Sequence, residues 1–539
     1  MRRALRWCVV LTACSSSGWG GAGCGGGDDG PPPRETGPDI LEGVVGTVFF
    51  EKRTIDSAGL LSAAASAEVR SARYVNVEIV LVSGGNLQVI ARTVTDGDGR
   101  YGIGGPFPDG FQVAAYPESP RSNVPSVPVR VQDLSANRLA VVSSPQTAVR
   151  PGDRVVVDVR ASVTTTGRLA GAFNIVDAIQ RGALIWTAAT GIEPSPAVVN
   201  WESGGPQEDS CFNSATNEIT LIGGNRANLD GSDTDEFDDT VIVHEYMHFL
   251  VHNHAHSSTP GGRHSGEDLL PTLAFDEGLA DWFGALVSGR SLYQDTLGNL
   301  DQPSLADCRV CDDLESSSLR AVSGIGSEQS IYEILWDLVD GFPGEPADAD
   351  GDSVAISSAE LLLAVTRLDP RTDYVYVLHL ISRLLGAGAV SSPAVQSLLT
   401  FPVDQNISFP PVDRDVPSSG RDVFPIPLRV GQIVQGAVDA TSAPNPESGF
   451  DSVRYYELVL AAGRSVTITL TVDPLSGTLP DRLVLELLTP TNAVIARSET
   501  VSTTKSISMG LGAGTFVIGV FANEESGSPS SASYTLEVR

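Results

Sequence analysis

Lysine and cysteine are scarce in this chain of 539 residues, and each shortage narrows what the protein can be. Lys52 and Lys505 are the only lysines, and 35 basic residues against 66 acidic ones leave a net charge of −31. A surface of that sign repels phosphate groups, so the composition argues against a nucleic-acid partner. Six cysteines cannot form a disulfide framework over this length, so hydrophobic cores must hold the fold. Cys211, Cys308 and Cys311 follow the amino-terminal region, and their pairing is left open.

Long apolar runs are also missing beyond the first 25 residues. No later stretch reaches the roughly 18 apolar residues that a membrane span requires, so we expect membrane contact only through an anchor. With 41% apolar and 19% charged residues, the chain can nevertheless bury several cores. At about 150 residues per domain, its length predicts three or four domains.

The amino terminus has the order of charged and apolar residues that is typical of an export signal. Three arginines precede the apolar residues 7–13, and Leu11-Thr12-Ala13-Cys14 resembles the lipobox of bacterial lipoproteins. The resemblance implies a signal peptide over residues 1–14 and lipid attachment at Cys14. Attachment at Cys24 and ordinary secretion without a lipid are the alternatives. Residues 15–37, rich in Gly, Ser, Asp and Pro, are predicted to be a flexible tether, so the protein is expected at the bacterial outer membrane or cell surface, or secreted.

Residues 38–160 contain short alternating segments separated by Gly, Pro and Asp turns, which predicts a β-sandwich. The sequence TVTDGDGRY at 93–101, followed by PDGF at 108–111, resembles the carboxypeptidase regulatory-like domain, which has a transthyretin-like fold. Because glycine readily supplies a positive φ, the Asp-Gly pairs predict a tight hairpin between two strands.

Residues 425–539 show the same two-residue period. The segment VTITLTV at 466–472 alternates strictly, as a half-buried strand does. With the strand-like segments 455–463 and 512–520, this region resembles the bacterial pre-peptidase C-terminal domain, a small β-sandwich appended to secreted peptidases. The Pro-rich residues 401–424 are predicted to be the linker before it.

The middle region, residues 165–400, changes to helical spacing and contains HEYMH at 244–248. His244 and His248 are four residues apart, so on a helix their imidazoles lie on one face and can bind one metal ion. Glu245 lies beside that face, where it can take a proton from water that the metal activates. This pattern predicts a zinc site with Glu245 as the general base.

A catalytic zinc ion needs a third protein ligand and one open position. The segment FDEGLADW at 275–282 contains Glu277 and Asp281, which are again four residues apart. Together, the two motifs resemble the gluzincins, in particular the fungalysin and thermolysin-like metallopeptidases. This resemblance implies that Glu277 is the third zinc ligand, that Asp281 hydrogen-bonds His244, and that the protein is a zinc metalloendopeptidase.

His254 is an alternative third ligand, because it stands ten residues after His244, as in the metzincins. That pattern also requires a glycine at position 251, where this chain has Val251. It further requires a methionine beneath the metal, and none of the three methionines lies downstream in the middle region. The residues therefore favour Glu277.

Two further parts of the site are less well defined. The segment NEITLIGG at 217–224 predicts a strand, which in gluzincins lies at a sheet edge and pairs with extended substrate; a core strand is the alternative. The histidine that would donate to the oxyanion in this family is missing, since none occurs between His264 and His379. Tyr332 is predicted to take its place, because a phenol can donate to a developing oxyanion; a core tyrosine is the alternative.

Asp348, Asp350 and Asp352 form an acidic segment that resembles a calcium-binding loop. It departs from the EF-hand pattern, because the glycine precedes the third aspartate. A Ca²⁺ site and a solvated acidic turn are the two interpretations.

The sequence thus predicts a multidomain protein with a mainly helical, zincin-type α+β catalytic domain flanked by two β-sandwich domains. We expect an exported, zinc-dependent endopeptidase whose cofactor is Zn²⁺, with Ca²⁺ as a second candidate ion. Protein or peptide substrates are the expected partners, a membrane is contacted only through a lipid anchor, and no nucleic acid is bound. The alternative is a catalytically inactive adhesion or scaffold lipoprotein that retains a peptidase fold.

Overall fold

The computed structural model of the chain describes most residues between 37 and 539. The described residues are 37, 39–55, 61–83, 86–120, 127–164, 168–207, 209–226, 232–259, 269, 271–296, 311–315, 324–346, 354–370, 375–400, 426–438, 453–472, 483–489, 494–500, 502–522 and 532–539. Cys14, Cys24 and the acidic segment of Asp348, Asp350 and Asp352 lie outside them, so those assignments stay predictions. Within the described residues, no helix is both long and apolar enough to cross a membrane.

The N-terminal region forms two sheets by itself and contributes two strands to a third. Its strands are β1 (Gly43–Lys52), β2 (Glu68–Ser71), β3 (Asn76–Ser83), β4 (Asn86–Val94), β5 (Arg100–Ile103), β6 (Phe111–Ala115), β7 (Glu118–Ser119), β8 (Val129–Gln132), β9 (Val141–Val142), β10 (Arg154–Val156) and β11 (Val159–Ala161). In the first sheet, β1 pairs in parallel with β10 and β11 and antiparallel with β2 and β5. The second sheet has the order β4-β3-β6-β9. Side chains from both, such as Phe50 and Ile79, lie in one core, as a β-sandwich requires.

The Asp-Gly turn at 96–99 joins these two sheets. Asp96 Oδ1 accepts the N–H groups of Asp98 and Arg100, each at 2.9 Å, and Gly99 has a φ of 75°. The predicted turn is therefore confirmed. The predicted hairpin is wrong, because β4 pairs with β3 whereas β5 pairs with β1.

Helices are concentrated in the middle region. Its described elements are α1 (Ala170–Thr190), β12 (Ala197–Asn200), β13 (Cys211–Asn213), β14 (Glu218–Thr220), α2 (Asp239–His254), α3 (Pro271–Ser288), β15 (Leu292–Gln294), β16 (Cys311–Asp313), α4 (Glu328–Asp337), α5 (Ser358–Val365), α6 (Val377–Ala387) and α7 (Ser392–Thr400). Helix α2 is buried on all sides from Thr240 to Val251, as expected for a helix in the centre of a core.

A shared sheet joins the N-terminal and middle regions. Its order is β13-β14-β12-β8-β7, so two strands come from the first region and three from the second. Strand β8 pairs in parallel with β12, with Val131 opposite Val199. One continuous hydrophobic core includes Phe50 from β1 and Phe249 from α2. The predicted boundary between residues 160 and 165 therefore does not separate two cores.

An ion network also links β1 to the start of α2. Lys52, the last residue of β1, pairs with Asp239, the first residue of α2. Arg181 of α1 approaches the same carboxylate at 2.5 Å. Burial would raise the pKa of Asp239, but the two cations outweigh it and lower that pKa to about 2. The resulting negative charge in the first turn is favourable for the helix.

Two further sheets form the C-terminal region. Its described strands are β17 (Ile426–Leu428), β18 (Ile433–Val438), β19 (Val453–Leu460), β20 (Arg464–Val472), β21 (Leu483–Leu488), β22 (Val494–Ser498), β23 (Thr504–Leu511), β24 (Gly514–Ala522) and β25 (Ala532–Val538). The sheet orders are β17-β19-β24-β21-β22 and β18-β25-β20-β23. Leu458 and Ile468, one from each sheet, share a core. In β20, every second residue from Val466 to Val472 is buried, which confirms the predicted alternation.

The predicted fold class is confirmed in part. The described residues form several β-sheets together with seven α-helices, and the chain is β-rich. The predicted mainly helical catalytic domain is not evident among the described residues, because the helices of the middle region pack against a sheet that includes N-terminal strands.

Candidate metal centre

Helices α2 and α3 carry the two predicted motifs and cross in antiparallel directions. His244 of α2 contacts Asp281 of α3, whereas His248, further along α2, contacts Asp276, which comes earlier in α3. Gly284 permits this packing, because a Cβ at that position would meet the carbonyl oxygen of Thr240 at 2.7 Å. The close approach places the carboxylates of α3 directly against the imidazoles of α2.

Three nitrogen and oxygen atoms form a nearly equilateral triangle between the helices. His244 Nε2 lies 3.0 Å from His248 Nε2 and 3.2 Å from Glu277 Oε2. His248 Nε2 lies 3.1 Å from the same Glu277 oxygen. In a tetrahedral zinc site with ligand distances of about 2.0–2.1 Å, ligand atoms are separated by about 3.3 Å. The buried group of His244, His248 and Glu277 could therefore hold a metal ion.

A carboxylate orients each imidazole from behind. His244 Nδ1 lies 2.7 Å from Asp281 Oδ1, and His248 Nδ1 lies 2.8 Å from Asp276 Oδ2. With Nδ1 held in this way, Nε2 of each ring is directed to the triangle. The contact of Asp281 with His244 is the one that the gluzincin resemblance implies. Asp276 was missed by sequence analysis, because its contact with His248 depends on how the two helices pack.

Burial and neighbouring charges shift the pKa values of the side chains at this centre in opposite directions. Burial would lower the pKa of each histidine, but the facing carboxylates of Asp281 and Glu277 raise that of His244, and those of Glu277 and Asp276 raise that of His248. Burial raises the pKa of Glu245, and the two histidines oppose this rise. The carboxylates therefore raise the basicity of both imidazoles, a property that also favours their binding of a cation.

Strand β13, at one edge of the shared sheet, lies beside Glu245. The backbone amide of Phe212, on β13, faces the Glu245 carboxylate and opposes the rise of its pKa. The predicted strand at 217–224 forms as β14, but β14 lies between β13 and β12. Of the two interpretations of this segment, the edge strand is therefore wrong and the strand inside the sheet is confirmed; β13 is the edge strand.

His254 lies away from the triangle. Helix α2 is unbroken as far as His254, so the ten residues from His244 to His254 correspond to a rise of about 15 Å along the helix axis. The His254 Nε2 atom accepts a hydrogen bond from the backbone N–H of Ser195 at 2.9 Å. The structure thus brings Glu277, and not His254, to the two motif histidines.

Two buried tyrosines lie near the centre. Tyr332, the predicted oxyanion donor, is on α4; its hydroxyl hydrogen-bonds the carboxylate of Asp312, and it also faces Asp281 and Glu328. Tyr293, on β15, was missed by sequence analysis; its ring lies 5.9 Å from that of His244, and it also faces Glu245. Burial, reinforced by these carboxylates, raises the pKa of both phenols, which therefore remain hydrogen-bond donors at neutral pH.

Comparisons with known proteins give no family for the chain. No protein-family model matches it. No curated protein matches it. One solved structure that is similar is the pre-peptidase C-terminal domain of a collagenase from Bacillus anthracis, at 11% identity over 21% of this chain and 93% of that one, with a TM-score of 0.17. Another is a β-glucosidase from Paenibacillus barengoltzii, at 12% identity over 84% of this chain and 57% of that one, with a TM-score of 0.13. Neither similarity identifies an activity.

The carboxylate behind His244 gives a first testable expectation. Asp281→Asn keeps the size of the side chain but removes the charge that orients and polarises the imidazole, so zinc affinity should fall by about 10–100-fold. Competition with a chelating dye measures the change. Ser288→Ala, at the end of the same helix, is the control, because its hydroxyl bonds only the Gly284 carbonyl among the described residues. Equal zinc affinity in the Asp281 variant and the wild type would show that Asp281 does not support the ligand.

Proposed function

We propose that this protein is an exported, zinc-dependent endopeptidase in which Glu245 is the general base. The observation that carries the proposal is the triangle of His244, His248 and Glu277, with Glu245 adjacent to it in sequence and β13 beside Glu245. Three metal ligands alone would be equally consistent with a structural metal site that has no catalytic role. A neighbouring carboxylate and a sheet edge are the additional parts that peptide hydrolysis needs.

The donor set fits zinc. Two imidazole nitrogens and one carboxylate oxygen are typical of catalytic zinc sites, whereas calcium and magnesium are bound through oxygen. When bound, zinc would polarise the scissile carbonyl and make water acidic enough to react at neutral pH. The gluzincin resemblance of the two motifs points to the same ion.

Glu245 is suited to move a proton. It is 2% exposed, and its Oε2 atom has no hydrogen-bond partner among the described residues. This oxygen is therefore available to accept a proton from the attacking water and to pass it to the leaving amine. Burial raises the pKa of Glu245, which brings it closer to neutral pH and strengthens it as a base.

The surrounding groups would position a peptide. An extended peptide can pair with the outer edge of β13, which would hold it by its backbone and leave its side chains largely unselected. Tyr293 and Tyr332 are the two candidate donors to the oxyanion that forms on the scissile carbonyl. Tyr293 is the better supported, because it faces both His244 and Glu245.

The second candidate function is an inactive adhesion or scaffold lipoprotein that retains the fold. The burial of the centre favours it. His248 is the most exposed of the four side chains at 8%, and His244 is only 1% exposed. A protein that binds zinc for stability alone would have no need to admit a substrate.

Hydrolysis of casein by the purified protein distinguishes the two candidates. We expect hydrolysis to stop when a zinc chelator is added and to return with zinc, because His244, His248 and Glu277 hold the ion on which the water activation depends. Calcium added to the chelated protein, in place of zinc, is the control and should restore nothing. Stoichiometric zinc without hydrolysis of casein or of any other unfolded protein would reject the peptidase and favour the scaffold.

A further inference from the structure

A cavity of about 380 Å³ lies against the sheet β4-β3-β6-β9, outside the metal centre. Pockets that bind small molecules in proteins have volumes of about 300–1,000 Å³, so a small ligand would fit. The cavity is lined by Asn76, Val77 and Glu78 of β3, Arg92 of β4 and Arg138, which follows β8. Four of these five side chains are polar, and three of them are charged, so the cavity is suited to a ligand that carries charge.

Glu78 is the buried acid of this cavity, and only one of its oxygens is used. The residue is 2% exposed. Its Oε1 atom accepts hydrogen bonds from Arg92 at 3.2 Å and from Arg138 at 3.1 Å, whereas its Oε2 atom has no hydrogen-bond partner among the described residues. Buried acceptors are normally satisfied by a donor. Asn76 donates its amide to Glu118 at 3.2 Å, which leaves its carbonyl oxygen as a second acceptor.

The two arginines differ in how firmly they are held. Arg138 binds both oxygens of Glu118, at 2.7 and 2.8 Å, and its guanidinium lies 3.7 Å from the centre of the Tyr116 ring. Burial, together with the facing carboxylate of Glu78, raises the pKa of the Tyr116 phenol, which therefore stays protonated. The side chain of Arg92 is 72% exposed, and among the described residues it uses only its Nε atom, on Glu78. The terminal nitrogens of Arg92 are thus available to an acceptor on a ligand.

The charges around the cavity balance. The carboxylates of Glu78 and Glu118 face the guanidinium groups of Arg92 and Arg138, so this part of the surface has no net charge, although the whole chain carries −31. A metal cation would meet the two guanidinium groups, and a phosphate would meet the two carboxylates, so each is repelled by charge of its own sign. A ligand that carries one positive and one negative group meets an opposite charge at each end.

We propose that this cavity binds a small zwitterion, namely a free amino acid or a short peptide that has both an ammonium and a carboxylate group. The ammonium would donate to Glu78 Oε2 and to the carbonyl oxygen of Asn76, and the carboxylate would accept from the terminal nitrogens of Arg92. Glu78 and Arg92 are directly opposite on β3 and β4, so the two charges of the site lie close together, as those of an amino acid do. Arg138 would hold Glu78 in place.

The test is titration calorimetry on the full-length protein with the Glu245→Gln substitution as the parent, so that no peptide is cut. The probes are L-alanine and L-alanyl-L-alanine, together with the acetylated and the amidated dipeptide, each of which lacks one charge. We expect the parent to bind a zwitterionic probe and to bind both blocked dipeptides about 10–100-fold more weakly, because each loses a charge-assisted hydrogen bond. Arg92→Gln should weaken binding of the zwitterion to a similar extent. Arg70→Gln, which changes an exposed arginine paired with Glu68 on β2, is the matched control and should bind like the parent.

Three results would overturn the proposal: a parent that binds neither zwitterion, blocked dipeptides that bind as tightly as the free one, and an Arg92 variant that binds like the parent. Glu78→Gln should also weaken binding. If that variant does not fold, the Arg92 variant decides, because its side chain is largely exposed. Tighter binding of alanine or of the dipeptide shows which kind of zwitterion the cavity takes. None of these readouts depends on peptidase activity, so a failure here is distinct from a failure of the proposed function.

Discussion

Glu245→Gln should lower kcat/KM for casein-derived peptides by about 10²–10⁴-fold, the usual contribution of a general base. The reason is that glutamine has nearly the same shape but cannot accept a proton. A loss of this size corresponds to about 3–5 kcal/mol of barrier height. Zinc content should not change, because Glu245 contributes none of the three ligand atoms, which come from His244, His248 and Glu277. Peptide hydrolysis and metal analysis on the same preparation measure both quantities.

Glu486→Gln is the matched control for this substitution. Glu486 is also a largely buried glutamate, but it lies on β21 in the C-terminal region and pairs with Arg497 at 3.2 Å. Its variant should hydrolyse peptides like the wild type. Hydrolysis by the Glu245 variant within about threefold of the wild-type rate would show that Glu245 is not the general base, since a general base contributes far more than that.

Glu277→Gln should reduce zinc affinity by more than about 100-fold, because loss of a direct ligand exceeds the loss expected for an orienting carboxylate. The variant removes the negative charge that lies 3.2 Å from His244 Nε2 and 3.1 Å from His248 Nε2. Peptide hydrolysis at limiting zinc should fall in parallel. Dye competition gives the affinity, and activity at rising zinc concentration shows whether the ion is the cause.

His254→Gln tests the alternative ligand in the same experiment. Glutamine can still accept the hydrogen bond that Ser195 gives to His254, so the local fold should persist. We expect this variant to bind zinc like the wild type. A loss of zinc in the His254 variant, together with normal binding in the Glu277 variant, would reverse the ligand assignment.

The local parts of the site could be predicted from the sequence because helical spacing fixes them. His244 and His248 lie on one face of α2 by their separation alone, and the four-residue interval from Glu277 to Asp281 does the same on α3. Asp276 could not be assigned, since its contact with His248 depends on how the two helices cross. Tyr293 was missed because β15 reaches the site only through tertiary packing.

The sheets also combine local features, which the sequence predicts, with tertiary features, which it does not. Alternation in β20 predicts which side chains are buried, because the strand period is local. Pairing between strands is not local: nothing in the segment 93–101 indicates that its turn leads from one sheet to another. The parallel pairing of β8 with β12 joins segments that sequence analysis had placed in separate domains. For the same reason the sequence left open whether the segment 217–224 is an edge strand or a core strand, and it did not indicate β13 as the edge.

The sheet that the N-terminal and middle regions share limits the ways in which the proposed peptidase could be kept inactive before use. Secreted peptidases are often switched on by cutting away an N-terminal segment. Here such a cut would separate β8 from β12, leaving four residues of β12 without their partners, and would remove Lys52 from the carboxylate of Asp239 at the start of α2. In the proposed peptidase, the N-terminal sandwich would therefore be a permanent part of the active molecule and not a removable inhibitor.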